Sequence, residues 1–172
     1  AYSIGIDDCC VLDEERLARR LRQLDAVSST DTVRRGRVIV IADENPRSRL
    51  LLGRVFRGAA YSTTFANTPQ EALEHASQPD VAAVVVSAEL EEVGIDGCRL
   101  TRHLPQLGED DPARAPAWII NTPPKGIPRM LGRVAGSAQE RVVVHDAFAA
   151  PATLLFVVND VLNQEAKDAR KS

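Results

Sequence analysis

The sequence lacks a strong excess of either charge: 21 Lys and Arg stand against 24 Asp and Glu, a net of -3. A protein whose main partner is nucleic acid or an anionic membrane needs a basic face, and this composition makes no electrostatic case for one. Long apolar runs are missing too. The hydrophobic stretches are short and interrupted, so neither a transmembrane span nor a signal peptide is expected. Cysteine is scarce and odd in number. Cys9, Cys10 and Cys98 have neither metal-ligand spacing nor a disulfide framework, which fits a reducing cytoplasm. Cys9 and Cys10 read as small strand residues rather than a reactive pair. The chain opens on Ala1 rather than Met, so a processed chain or a fragment of something longer is expected.

What is there is ordinary for a globular protein, 44% hydrophobic and 26% charged. The length of 172 residues suits one well-buried domain with appendages and is short for two domains of typical size. From Val38 onward, buried-strand runs alternate with amphipathic helices, the pattern of a mainly parallel sheet covered on both faces. The strand runs are residues 38–41, 61–65, 81–86, 117–120 and 142–144. Asn45-Pro46, Thr68-Pro69 and Asp96-Gly97 each predict a helix start. The first helix carries Leu51, Val55 and Leu52, Phe56 at helical spacing and stops at Gly58. The last begins near Ala152 with Leu154, Val158, Val161 and Leu162 toward the sheet. Residues 106–116 read as a loop. Pro123-Pro124-Lys125-Gly126 excludes regular helix or central strand, so the fourth helix is expected to be short, over 128–134. The flanks are a helix capped by Asp13, a Ser/Thr/Asp-rich linker over 25–35, and a polar tail over 163–172 that frays or extends the last helix.

The stretch RVIVIADENPRSRLLL resembles the opening of a bacterial response-regulator receiver domain: a hydrophobic strand, an acidic pair, then Asn-Pro opening a helix. PDVAAVVVSAELEEVGIDG resembles that family's third strand and the loop after it. The resemblance spans residues 36–162. It implies a doubly wound α/β fold with a five-stranded parallel sheet in the flavodoxin-like order 2-1-3-4-5. It also places Asp43 and Glu44 on the acidic pair that helps hold Mg2+. AYSIGIDDCCVLDEERLARRLRQL, residues 1–24, looks like the end of a preceding receiver, as in tandem-receiver diguanylate cyclases or hybrid histidine kinases; the alternative is a private helix that packs on the domain.

The departures from the family pattern point to function. A working receiver needs an aspartate at the end of the third strand, as phosphoryl acceptor and metal ligand. Ser87 is the preferred occupant here, with Glu89 in the alternative register, where it would supply a standing negative charge. The switch threonine or serine corresponds to Asn121, with Thr122 next, and the lysine-proline after the fifth strand is replaced by His145-Asp146-Ala147. A mostly neutral imidazole beside a carboxylate neutralises phosphoryl oxygens poorly. The combination implies a pseudo-receiver that is not an enzyme and acts as a protein-protein interaction and regulatory module in bacterial two-component or cyclic-dinucleotide signalling.

With two carboxylates of the usual three, Asp43 and Glu44 are expected to bind Mg2+ weakly, if at all, and to serve as solvated or capping acids; no other cofactor is expected. Ser87, His145 and Asp146 form no hydrolytic triad, because nothing supplies a nucleophile elbow or oxyanion hole. The Arg22-to-Asp25 spacing matches a short cyclic-dinucleotide pattern that also arises by chance. Lys125, Arg129 and Arg133 suit an anionic ligand or an acidic partner surface, or else a solvated helix face. Two functions follow: docking of a signalling domain or a second copy through the fifth strand and last helix, and sensing of a small anion such as a cyclic dinucleotide.

Overall fold

The computed structural model describes residues 37–103, 115–134 and 142–168, with side chains up to 164 in the last segment. The segment 1–24 with Cys9, Cys10 and Arg22, and the linker 25–35, lie outside the described residues, as does most of the loop 106–116. The elements are β1 Val38–Ala42, α1 Pro46–Gly58, β2 Ser62–Ala66, α2 Pro69–Ala76, β3 Val81–Ser87, α3 Ala88–Val93, a 3-10 turn Leu100–His103, β4 Ala117–Thr122, a 3-10 turn Pro124–Gly126, α4 Ile127–Val134, β5 Val142–Asp146 and α5 Pro151–Asp168. The five strands pair in parallel in the order β2-β1-β3-β4-β5.

Strand side chains alternate between two faces, and each face has its own core. Ile39, Ile41, Ala83, Val85, Ala117 and Ile119 pack with Leu52 and Phe56 of α1 and Leu154, Val158 and Leu162 of α5. Val40, Ala42, Val84, Val86, Trp118 and Ile120 pack with α2, Leu90, Leu100 and Met130 on the other side. This two-sided burial is why β1, β3 and β4 read as unbroken apolar runs. Each fully buried Val, Ile, Leu or Phe contributes about 1.5–3 kcal/mol.

Helix starts follow local chemistry. The Asn45 side chain accepts from the Arg47 amide at the start of α1, and Thr68 accepts from Glu71 at the start of α2, each followed by proline at the first helical position. Three expectations need correction. Asp96-Gly97 opens no helix: both residues have positive φ and form a tight loop closed by an Ile95–Cys98 bridge. The helix at this place is α3, which begins immediately after β3 and ends at Gly94. Leu51 is exposed, so the inward stripe of α1 is Leu52 and Phe56 alone. The second strand starts at Ser62, and Tyr61 before it is buried edge-on against Phe56. No helix among the described residues is long and apolar enough to cross a membrane.

Candidate functional site

In a sheet of this order the chain turns outward in opposite directions from β1 and β3, leaving a crevice beyond their carboxyl ends. The residues singled out above gather at that end. Asp43 and Glu44 directly follow β1, and Ser87 ends β3 opposite Asn121 of β4. Asn121 and Thr122 in turn pair with His145 and Asp146 of β5.

Ser87 is fully engaged. Its hydroxyl donates to Glu44 Oε2 at 2.9 Å and accepts from the Leu90 amide at 3.2 Å, capping α3. Glu89, in the first turn of α3, lies beside Glu44. The hydrogen bond to Glu44 and the charge of that neighbour raise the Glu89 pKa. Burial works against ionisation of Glu44, but its backbone N–H, Ser87, Glu89 and Arg49 together hold its pKa below the usual value. Asp43 is committed elsewhere: Oδ1 accepts from the Asn45 amide at 2.8 Å, Oδ2 accepts from Ser48 Oγ at 2.6 Å, and its carbonyl accepts from Arg49.

This donor set does not fit a tight Mg2+ site. Both Asp43 oxygens brace the start of α1, Glu44 is tied to the Ser87 hydroxyl with Glu89 beside it, and the strand end offers a neutral oxygen where a hard dication wants a third carboxylate. Among the described residues no group of three or more His, Cys, Asp and Glu side chains is arranged to hold a metal.

His145 is buried, with Nδ1 3.0 Å from Asn121 Oδ1. Burial lowers its pKa against the opposing pull of Asp146. His145 Nε2 is buried with no hydrogen-bond partner among the described residues, so the Asn121 side chain is the ring's one polar contact there. Asp146 accepts from the Phe148 amide at 2.8 Å, bracing the turn into α5. Neither His145 nor Asp146 bonds to Ser87, so the three act separately. Thr122 is buried, its hydroxyl against the backbone of the Pro123-to-Gly126 turn. A Cβ on Gly126 would lie 2.3 Å from Thr122 Oγ1, so this close approach requires glycine.

The basic residues divide. Arg129 and Arg133 both bind Glu92 Oε1, at 3.2 and 3.1 Å, and line a cleft that also takes in Arg99, Arg102 and Gly97; Lys125 is not among its lining residues. Sequence reasoning missed Arg99, Arg102 and Glu91. Glu91 is buried and accepts from Thr101 Oγ1 at 2.6 Å and from the Thr101 amide at 3.2 Å. Burial raises its pKa, opposed by those two bonds and by Arg99 and Arg133. A run of acids in a short helix carried no signal that one of them turns inward.

No protein-family model matches the chain, and no curated protein matches it. Solved structures do. A CheY-like response regulator receiver domain from Methanospirillum hungatei JF-1 is 15% identical with a TM-score of 0.58, over 77% of this chain and 98% of that one. The signal receiver domain of an HD domain-containing protein from Pseudomonas fluorescens Pf-5 is 15% identical with a TM-score of 0.60, over 80% and 95%. An adenylate cyclase structure from Rhodopirellula baltica is 14% identical with a TM-score of 0.60, over 79% and 94%. The chain has the CheY-like receiver fold, with the strand order that the resemblance implied.

Proposed function

We propose that this chain is a receiver-fold regulatory module of a bacterial, cytoplasmic signalling protein that works without phosphoryl transfer and signals by docking. The observation that carries the reading is the state of the strand-end residues. Ser87, at the end of β3, spends its hydroxyl on capping α3 and on Glu44. A serine oxygen forms no mixed anhydride and brings no charge for a metal. The buried imidazole of His145, held toward its neutral form, offers no cation for phosphoryl oxygens. What the fold keeps is a rigid scaffold with an outward surface. Phe148 after β5 is 76% exposed, and Phe156 on α5 is 68% exposed one turn from the exposed Asp160. Such aromatic side chains suit the centre of a contact with a neighbouring signalling domain or a second copy.

The test has two readouts. Incubation with acetyl phosphate and Mg2+ should leave the intact mass unchanged; a gain of one phosphoryl group that disappears in Ser87→Ala or Glu89→Gln overturns the proposal. Phe156→Ala and Asp160→Lys should weaken self-association or partner binding by more than about fivefold, the effect of losing a central contact worth over ~1 kcal/mol, with unchanged melting temperature. Association unaffected by both changes removes the β5–α5 face as the docking surface.

A further inference from the structure

Beside α4 lies a cleft of about 250 Å3 lined by Arg99, Arg102, Arg129, Arg133, Glu92 and Gly97. Its cations come from two separate stretches of chain, and each pair is aligned by helical geometry. Arg129 and Arg133 are four apart on α4 and share one face. Arg99 and Arg102 are three apart around a 3-10 turn, closed by the Arg102 amide donating to the Arg99 carbonyl at 3.0 Å, and three-residue spacing stacks side chains in such a turn. The turn is anchored at its centre. Leu100 is wholly buried in the sheet core, and buried Glu91 accepts from both the amide and the hydroxyl of Thr101. The arginines are thus presented from backbone fixed before any ligand arrives.

The charge of this cleft is unbalanced. Four arginines and one glutamate line it, an excess of three positive charges, in a chain whose net charge is -3. Glu92 engages Arg129 and Arg133 through one oxygen, while Arg99 and Arg102 make no ion pair or hydrogen bond through their guanidinium groups among the described residues. Guanidinium groups forced together repel, and Glu92 is the one carboxylate among the residues that line the cleft; buried Glu91, its pKa raised by burial, is the further acid on which Arg99 and Arg133 act. A ligand matched to this arrangement is compact, carries about three negative charges and accepts forked hydrogen bonds from planar donors. A single phosphate group brings about −1.5 to −2, so two adjoining phosphates come closest. The cleft is smaller than the roughly 300–1,000 Å3 pockets that enclose drug-sized molecules, so it would take a diphosphate group and leave the rest of the molecule outside.

We propose that this cleft is a binding site for the diphosphate portion of a small phosphate-bearing molecule, gripped between the Arg99/Arg102 turn and α4. The site is separate from the strand-end residues, and the acetyl phosphate result leaves it untouched. The test is calorimetric titration of the full chain with inorganic pyrophosphate, alongside inorganic orthophosphate and a glutamate-rich peptide. One pyrophosphate should bind per chain, at least about tenfold tighter than orthophosphate, and weaken as salt is raised. Arg99→Ala/Arg102→Ala should lower pyrophosphate affinity at least about tenfold. Arg99→Lys/Arg102→Lys, which keeps the charge and loses the fork, should lower it severalfold. Lys125→Ala, a change of one nearby cation outside the cleft, should leave affinity unaltered. Circular dichroism melting of each variant verifies that the fold is intact. The proposal is overturned by the absence of saturable binding, by equal losses in the Lys125 and Arg99/Arg102 variants, or by the peptide binding tighter than pyrophosphate.

Discussion

Replacing Glu91 tests whether a buried acid holds the Arg99-to-Arg102 turn in place. In Glu91→Ala, the Thr101 amide and hydroxyl both lose their acceptor. A buried donor left unsatisfied costs about 1–3 kcal/mol. Thr101 is half-buried, so water reaches part of it and the lower half of that range applies to each group. A total loss of about 2–4 kcal/mol is a large share of a typical domain stability of about 5–15 kcal/mol, and lowers the melting temperature by about 6–12 °C at roughly 3 °C per kcal/mol. Glu91→Gln behaves differently. It keeps the shape and one acceptor and removes a charge that burial disfavours. Because the folded-state pKa of Glu91 is raised, its contribution to stability is fully present below the ordinary carboxyl value and is lost as pH rises through the raised value. The glutamine variant lacks that loss, so its stability relative to wild type should grow from about pH 5 to about pH 8. Thermal denaturation at both pH values measures the difference. Equal destabilisation by alanine and glutamine, or a glutamine-minus-wild-type difference that shrinks as pH rises, refutes the reasoning. Glu91→Ala should also weaken pyrophosphate binding, since Arg99 and Arg102 flank Thr101.

His145 should titrate below the ordinary imidazole value by NMR, because burial disfavours its charged form. Its lowered pKa makes its contribution present above the ordinary value and lost as pH falls through the lowered one, so His145→Gln should flatten the acid side of the stability profile; an unchanged slope argues against this. The glycines at two helix ends should respond in opposite directions. Gly94 has φ +57°, and an added Cβ would lie 1.6 Å from the Cys98 carbonyl oxygen, so Gly94→Ala should cost more than about 2 kcal/mol in urea denaturation. Gly58 ends α1 with nothing near an added Cβ, and Gly58→Ala should be neutral or stabilise by up to about 1 kcal/mol.

Much of the architecture was legible in the residues because burial on two faces leaves a direct trace. Runs such as Val81 to Val86 can satisfy both core faces of a sheet only as a central strand, and Asn45-Pro46 and Thr68-Pro69 open helices by bonds that span two or three residues. The gathering of Glu44, Ser87, Asn121 and His145 at one end of the sheet was also readable, since a parallel strand order fixes which ends adjoin. Where the chemistry depends on contacts between segments remote in sequence, local pattern carried no signal. Asp96-Gly97 has the composition of a helix start, yet Gly94 and the Ile95–Cys98 bridge turn the chain there into a tight loop. Glu91 and Glu92 are adjacent acids of the same residue type. The tertiary structure alone sends one inward to Thr101 and the other to Arg129 and Arg133, because neighbouring helical positions point about 100° apart and only packing decides which of them meets the core.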